Sequence, residues 1–212
     1  RSSARAGWEI DAIGLRPARK VFDPMDSLLV STLVVAIAEI GDKTQLLAII
    51  LATRFKKPVP IILGILVATL ANHALAATAG YWVSGLLTGL WFKWAIALSF
   101  IAMAAWALIP DKLDDAPDAG APAKTALSIF WTTTIAFFLV EMGDKTQVAT
   151  AALAARFQNI ALVAAGTTVG MMLANVPAVL IGEAAATKLP LKYIRWAAAA
   201  SFAAIGLWIL VA

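Results

Sequence analysis

Long apolar blocks dominate this chain, at about residues 28–54, 59–84, 91–109, 125–155, 160–182 and 194–212. A helix that crosses a bilayer needs about 20 mostly apolar residues. The pattern therefore predicts six transmembrane helices. Polar punctuation falls between the blocks. Arg54, Lys56, Lys57 and Pro58 end the first helix, Gly85 to Gly89 turns the chain after the second, and Pro110-Asp111-Lys112 stops the third. Residues 111–124 form an acidic, solvated linker, and Lys188, Pro190, Lys192 and Arg195 separate the fifth helix from the sixth. Lys93 with Trp82, Trp91 and Trp94 falls where an aromatic belt meets the membrane surface.

Two of these blocks carry charge in their middle. Glu39-Ile40-Gly41-Asp42-Lys43-Thr44-Gln45 recurs as Glu141-Met142-Gly143-Asp144-Lys145-Thr146-Gln147, offset by 102 residues. The same offset carries Arg54-Phe55 onto Arg156-Phe157 and Gly64 onto Gly166. With one residue inserted, Leu70-Ala71-Asn72 falls on Leu173-Ala174-Asn175. Each half holds three helices, and an odd number sends the second half into the membrane from the opposite side. The expected fold is an all-α integral membrane protein whose six transmembrane helices form two inverted three-helix repeats, an arrangement that places a transport site near the midplane. The parts read as a leader or cloning remnant (1–24), a first repeat (25–110), the acidic linker (111–124) and a second repeat (125–212). The leader is polar, without a long apolar core or a small-residue cleavage site, so it does not read as a signal peptide; Met25 is the expected start.

Composition supports membrane residence and narrows the chemistry. The chain of 212 residues is 61% hydrophobic and 14% charged, against about 45–50% and about 25% in soluble domains; its mean hydropathy is +0.84. With no Cys, thiolate sites and disulfides are excluded. The single histidine, His73, leaves little room for imidazole-based metal sites or catalytic triads. It reads as a satisfied helix-packing residue, with proton carriage as its alternative. The net charge of +4 sits at helix ends and is no nucleic-acid signature. Leaving out the leader and the two motif lysines, Arg54, Lys56, Lys57, Lys112, Lys124, Lys188, Lys192 and Arg195 share one side, while Lys93 and Arg156 take the other. That bias puts the loops after helices one, three and five in the cytoplasm and both termini outside. A native leader, with five basic residues of its own, would undo it.

Glu39 lies eleven residues beyond Leu28, about 16 Å along a helix, near the middle of a membrane roughly 30 Å thick. A charge at that depth costs at least about 2.5–3.5 kcal/mol on insertion scales, so six such groups call for a function. Glu39 and Asp42 at i, i+3 share one helical face, and Lys43 at i+4 offsets part of their charge. Gly41 either admits a close backbone neighbour or lets the helix break and offer carbonyls. Each motif sums to −1 and two facing motifs to −2, which one divalent cation or two protons would neutralise. Carboxylates, amide oxygens and hydroxyls are hard donors suited to Ca²⁺, Mn²⁺ or Mg²⁺, whereas Zn²⁺ and copper usually recruit His or Cys. Glu39, Asp42, Glu141 and Asp144 are the candidate metal ligands. Lys43, Thr44, Gln45, Lys145, Thr146, Gln147, Asn72 and Asn175 are the supporting polar or proton-coupling residues. The plainer alternative is that the charges only staple helices together, and Asn72 and Asn175 only bond between them. Glu183 reads as interfacial, Gly166-x-x-x-Gly170 as close helix packing. GDKT lacks the full phosphate-loop pattern, so ATP hydrolysis, and an enzyme, are not expected.

The doubled E-x-G-D-K-[TS] signature, as EIGDKT and EMGDKT, resembles the Golgi-type calcium/manganese–proton exchanger family, whose bacterial members include manganese exporters. The resemblance spans residues 25–212. It implies exchange of a divalent cation for protons, with the family's motif acids falling on Glu39, Asp42, Glu141 and Asp144. The expected function is an antiporter in a bacterial plasma membrane that exports Mn²⁺, with Ca²⁺ second, against protons. Its partners are the two ions and the lipid bilayer, with no resident cofactor and no nucleic acid; monomer and homodimer both stay open. A gated cation channel using the same acidic site and a purely structural protein are the competing classes.

Overall fold

A computed structural model describes residues 23–86, 90–109, 125–181 and 191–211. The acidic linker, residues 1–22 of the leader, Glu183 and Lys188 lie outside the described residues. Eight helices are present among those described, and no strand. They are α1 (Pro24–Glu39), α2 (Lys43–Phe55), α3 (Pro58–Leu86), α4 (Leu90–Ala107), α5 (Ala126–Glu141), α6 (Lys145–Phe157), α7 (Ile160–Ile181) and α8 (Leu191–Val211). Four of the six expected helices thus appear unbroken, close to their predicted bounds. The first and fourth are each split in two at the acidic motif. Residues Pro58–Gly85, Leu90–Ala107 and Ile160–Ile181 are long and apolar enough to cross a membrane. The α5–α6 pair, bent by 73°, makes a fourth if it is taken as one span.

Local chemistry accounts for the helix ends. The Asp23 carboxylate accepts from Met25 N–H with Pro24 in the first turn, so α1 starts at Pro24, four residues before the expected helix start at about 28. Thr125 and Ser128 form a reciprocal capping box on α5. Lys56 (φ 52°) and Gln158 (φ 56°) end α2 and α6 in the left-handed conformation, their N–H groups bonded to Ala52 O and Ala154 O.

The repeat persists in three dimensions. α1 packs against α7, α3 against α5, and α4 against α8. Gly166 on α7 lies so close to α1 that a Cβ there would sit 2.6 Å from Leu28 O. Gly64, its repeat counterpart on α3, would meet Phe130 O of α5 at 2.8 Å, and Phe130 is the counterpart of Leu28. Phe100 and Phe202, also 102 apart, meet each other with ring centroids 6.3 Å apart. The two halves are therefore interlocked by exchanged, equivalent contacts rather than set side by side.

Polarity is distributed in reverse of a soluble protein. Leu33, Trp82, Trp91, Trp131, Leu139, Trp196 and Trp208 are exposed, whereas Glu39, Asp42, Glu141, Asp144, Lys145 and Asn175 are buried. So much exposed apolar surface is stable only against another apolar phase. The protein is an integral membrane protein.

Candidate functional site

The acidic motif is a helix break, built twice. Ile40 is extended (φ −65°, ψ 118°), Gly41 has φ 79°, and Asp42 N–H donates to Glu39 O at 3.1 Å. Met142 (φ −66°, ψ 121°), Gly143 (φ 78°) and the Asp144 N to Glu141 O bond, also 3.1 Å, repeat it. This is a type II turn, which demands positive φ at its third residue and hence glycine. Of the two roles open to Gly41, the structure assigns the break. Gln45 Oε1 accepts from Gly41 N–H at 2.8 Å, and Gln147 Oε1 from Gly143 N–H at 2.7 Å. Each glutamine reaches back over the turn as the last residue of a capping box does. The Asp42 and Asp144 carboxylates, at the N-cap positions of α2 and α6, make no cap hydrogen bond and are turned to other uses.

Three sequence expectations are corrected by this geometry. Glu39 and Asp42 do not share a face of one helix, since Glu39 ends α1 and Asp42 opens α2. The i, i+4 partnership of Glu39 with Lys43 gives way to crossed pairing between the halves. Lys145 Nζ lies 2.8 Å from Asp42 Oδ1, and Lys43 Nζ lies 3.1 Å from Asp144 Oδ1. Spacing along the chain is no guide once the helix breaks. The glutamine oxygens, offered by the sequence as hard donors, accept the glycine N–H groups instead.

Glu39, Asp42 and Asp144 each place a carboxylate oxygen within 4.8 Å of the others, and all three are buried. This is a spacing that a single cation could span, with ligands from both halves. Thr44 donates to Glu39 Oε2 at 2.5 Å, and Thr146 of the other half donates to Glu39 Oε1. Glu141, the fourth candidate, is outside this cluster. It is buried, neither of its carboxylate oxygens has a hydrogen-bond partner among the described residues, and His73 Nε2 stands 3.8 Å from Oε1.

Asn72 links helices, whereas Asn175 bonds within its own. Asn72 Nδ2 donates to Phe138 O of α5 at 2.9 Å and its Oδ1 accepts from Gln147 Nε2 at 3.4 Å. Asn175 Nδ2 donates to Met171 O at 3.1 Å, leaving Oδ1 without a hydrogen bond, while Gln45 Nε2 donates to the neighbouring Ala174 O at 3.0 Å. Sequence reasoning took His73 for a satisfied packing histidine. Among the described residues both ring nitrogens are without hydrogen bonds, and one lies toward Glu141. The available signal was the repeat itself, which has a histidine here in one half only.

Comparison with known proteins bears on what this arrangement does. Residues 27–115 and 129–212 match the model of the family "Divalent cation/proton antiporter GDT1". A protein of Vibrio cholerae serotype O1, named "Putative manganese exporter", is 50% identical over 179 residues, covering 84% of this chain and 87% of that protein. No solved structure matches.

Proposed function

The chain belongs to the divalent cation/proton antiporter family GDT1, and we propose that it exports Mn²⁺, with Ca²⁺ second, from the cytoplasm of a bacterium in exchange for protons. The observation that carries this reading is the convergence of Glu39, Asp42 and Asp144, buried and drawn from both halves. The name of the Vibrio cholerae relative favours Mn²⁺ over Ca²⁺. The reading takes each broken helix as one span, so that six spans form two inverted repeats in an inner membrane, with the linker after the third span in the cytoplasm.

Charge explains the exchange. Glu39, Asp42, Glu141 and Asp144 against Lys43 and Lys145 leave two negative charges inside an apolar body. A divalent cation or two protons neutralise them, and a bare site resists movement through the membrane because a buried, uncompensated charge is costly. The carbonyl termini of α1 and α5 favour a cation, while the N-termini of α2 and α6 favour the ionised carboxylates of Asp42 and Asp144 at their N-caps. The two turns and the crossed lysine–aspartate pairs lie where the halves must move against each other.

Purified protein in sealed proteoliposomes tests the reading. A pH gradient should drive Mn²⁺ uphill with counter-movement of protons, and a panel of cations should rank Mn²⁺ first. Metal that moves only down its own gradient, with no proton flux, would identify a channel instead.

A further inference from the structure

His73 interrupts the repeat at its centre. The step that carries Asn72 onto Asn175 carries His73 onto Val176. The imidazole is wholly buried on α3, and the Glu141 carboxylate it faces is buried as well. At 3.8 Å the Nε2 to Oε1 separation is too long for a hydrogen bond, and none of the four polar atoms of the two side chains has a hydrogen-bond partner among the described residues. Buried polar groups are ordinarily satisfied. Two ligand atoms held about 2.1 Å from one metal ion lie roughly 3–4 Å apart, and this pair falls in that range.

The asymmetry is specific to Glu141. The repeat would assign Thr146 to Glu141 as it assigns Thr44 to Glu39, yet both threonines donate to Glu39. The Glu141 carboxylate is left without a hydrogen bond among the described residues, beside the imidazole and within the field of Asp144, Lys43 and Lys145. The ring is also held in place, because its neighbour Asn72 ties α3 to Phe138 O on α5 and to Gln147 on α6. Asp144 N–H bonds Glu141 O across the turn, so this pair adjoins the three-carboxylate cluster.

The geometry points to a second cation subsite, formed by His73 Nε2 and the Glu141 carboxylate, that selects Mn²⁺ over Ca²⁺. It rests on the cation-exchange reading and deepens it. The Glu39, Asp42 and Asp144 cluster offers only carboxylate oxygens, which suit Ca²⁺, Mg²⁺ and Mn²⁺ alike. Ca²⁺ takes oxygen ligands, whereas first-row transition ions accept imidazole nitrogen. With no cysteine and no other histidine in the chain, His73 is its one imidazole.

That uniqueness makes the test direct. Tag-free protein in detergent, loaded with Mn²⁺, should show in pulsed EPR the ¹⁴N coupling of a ligated imidazole, and His73→Gln should lose it. In equilibrium titrations, His73→Gln should weaken Mn²⁺ binding by about tenfold or more, while Ca²⁺ binding shifts by less than about twofold. Wild-type protein that binds Mn²⁺ without imidazole coupling overturns the subsite and leaves the exchange reading standing, whether or not the variant folds. A variant that loses both ions equally also overturns it. Wild-type protein that binds neither ion and moves no protons overturns both readings.

Discussion

Lys43 and Lys145 hold equivalent positions in the repeat, but only Lys145 is deeply buried, its side chain 4% exposed against 23% for Lys43. Removing one member of a buried ion pair strands the other charge, at a cost of about 3–5 kcal/mol. Lys145→Met should therefore lower the thermal stability of the purified protein far more than Lys43→Met, and adding Asp42→Asn should restore part of the loss. Equal melting temperatures for the two single variants would show that the burial difference carries no energy. Glu39→Gln and Glu141→Gln should each abolish metal-dependent proton flux while the protein still reaches the membrane, since glutamine keeps the shape but neither charges nor carries a proton. A variant that transports at the wild-type rate would remove that glutamate from the working site. The acids were legible in the sequence because charge at mid-membrane depth is costly and here is doubled. Their partners were not. Which lysine meets which aspartate depends on how the halves interlock, and no spacing within one half encodes a contact 103 residues away.

At the level of elements, hydropathy placed four helices to within three residues at each end and ran straight through the two breaks. Ile40, Gly41 and Asp42 are too few to dent the average over an apolar block, and the turn's signature is one glycine among apolar and charged neighbours. The sequence held both roles open for Gly41; only backbone geometry decides between them. That geometry gives two glycines opposite sensitivities. Gly143 has φ 78° and open space where a side chain would go, so its substitution is opposed by backbone conformation alone. Gly143→Ala should cost about 1–2 kcal/mol, and Gly143→Asn less, because Asn tolerates positive φ at this turn position. Gly166 is helical and pressed against Leu28 O, so bulk is what it cannot accept. Gly166→Val should loosen α1 from α7 and destabilise by about 1–3 kcal/mol, as overpacking does. Thermal unfolding in detergent measures both series. If Asn at 143 proves as damaging as Ala, the left-handed turn is not what the glycine supplies.

Across the whole molecule, the repeat was the most legible feature, because helix breaks, exchanged glycine contacts and the Phe100–Phe202 pair all obey the offset read from the motifs. The departure at His73 is visible in the repeat, which has Val176 in the other half, whereas those at Glu141 and the threonines were beyond reach of the sequence, since they arise from how two similar halves meet. The exchange itself yields a prediction at this scale. In the proposed mechanism protons and metal compete for the same carboxylate oxygens, so binding of a divalent cation should release protons. Raising the pH removes the competitor, and apparent metal affinity should therefore increase from mildly acidic to mildly alkaline solution. Acid outside should favour protonation of the outward-facing site and return of protons to the cytoplasm, driving metal export. On the proposed orientation, which puts the linker in the cytoplasm and residue 212 outside, membrane-impermeant labelling of introduced cysteines from the outside should mark position 212 and spare position 115; the reverse pattern would overturn that orientation. Affinity that stays flat with pH, together with metal flux that releases no protons, would leave a cation carrier whose carboxylates do not couple it to the proton gradient.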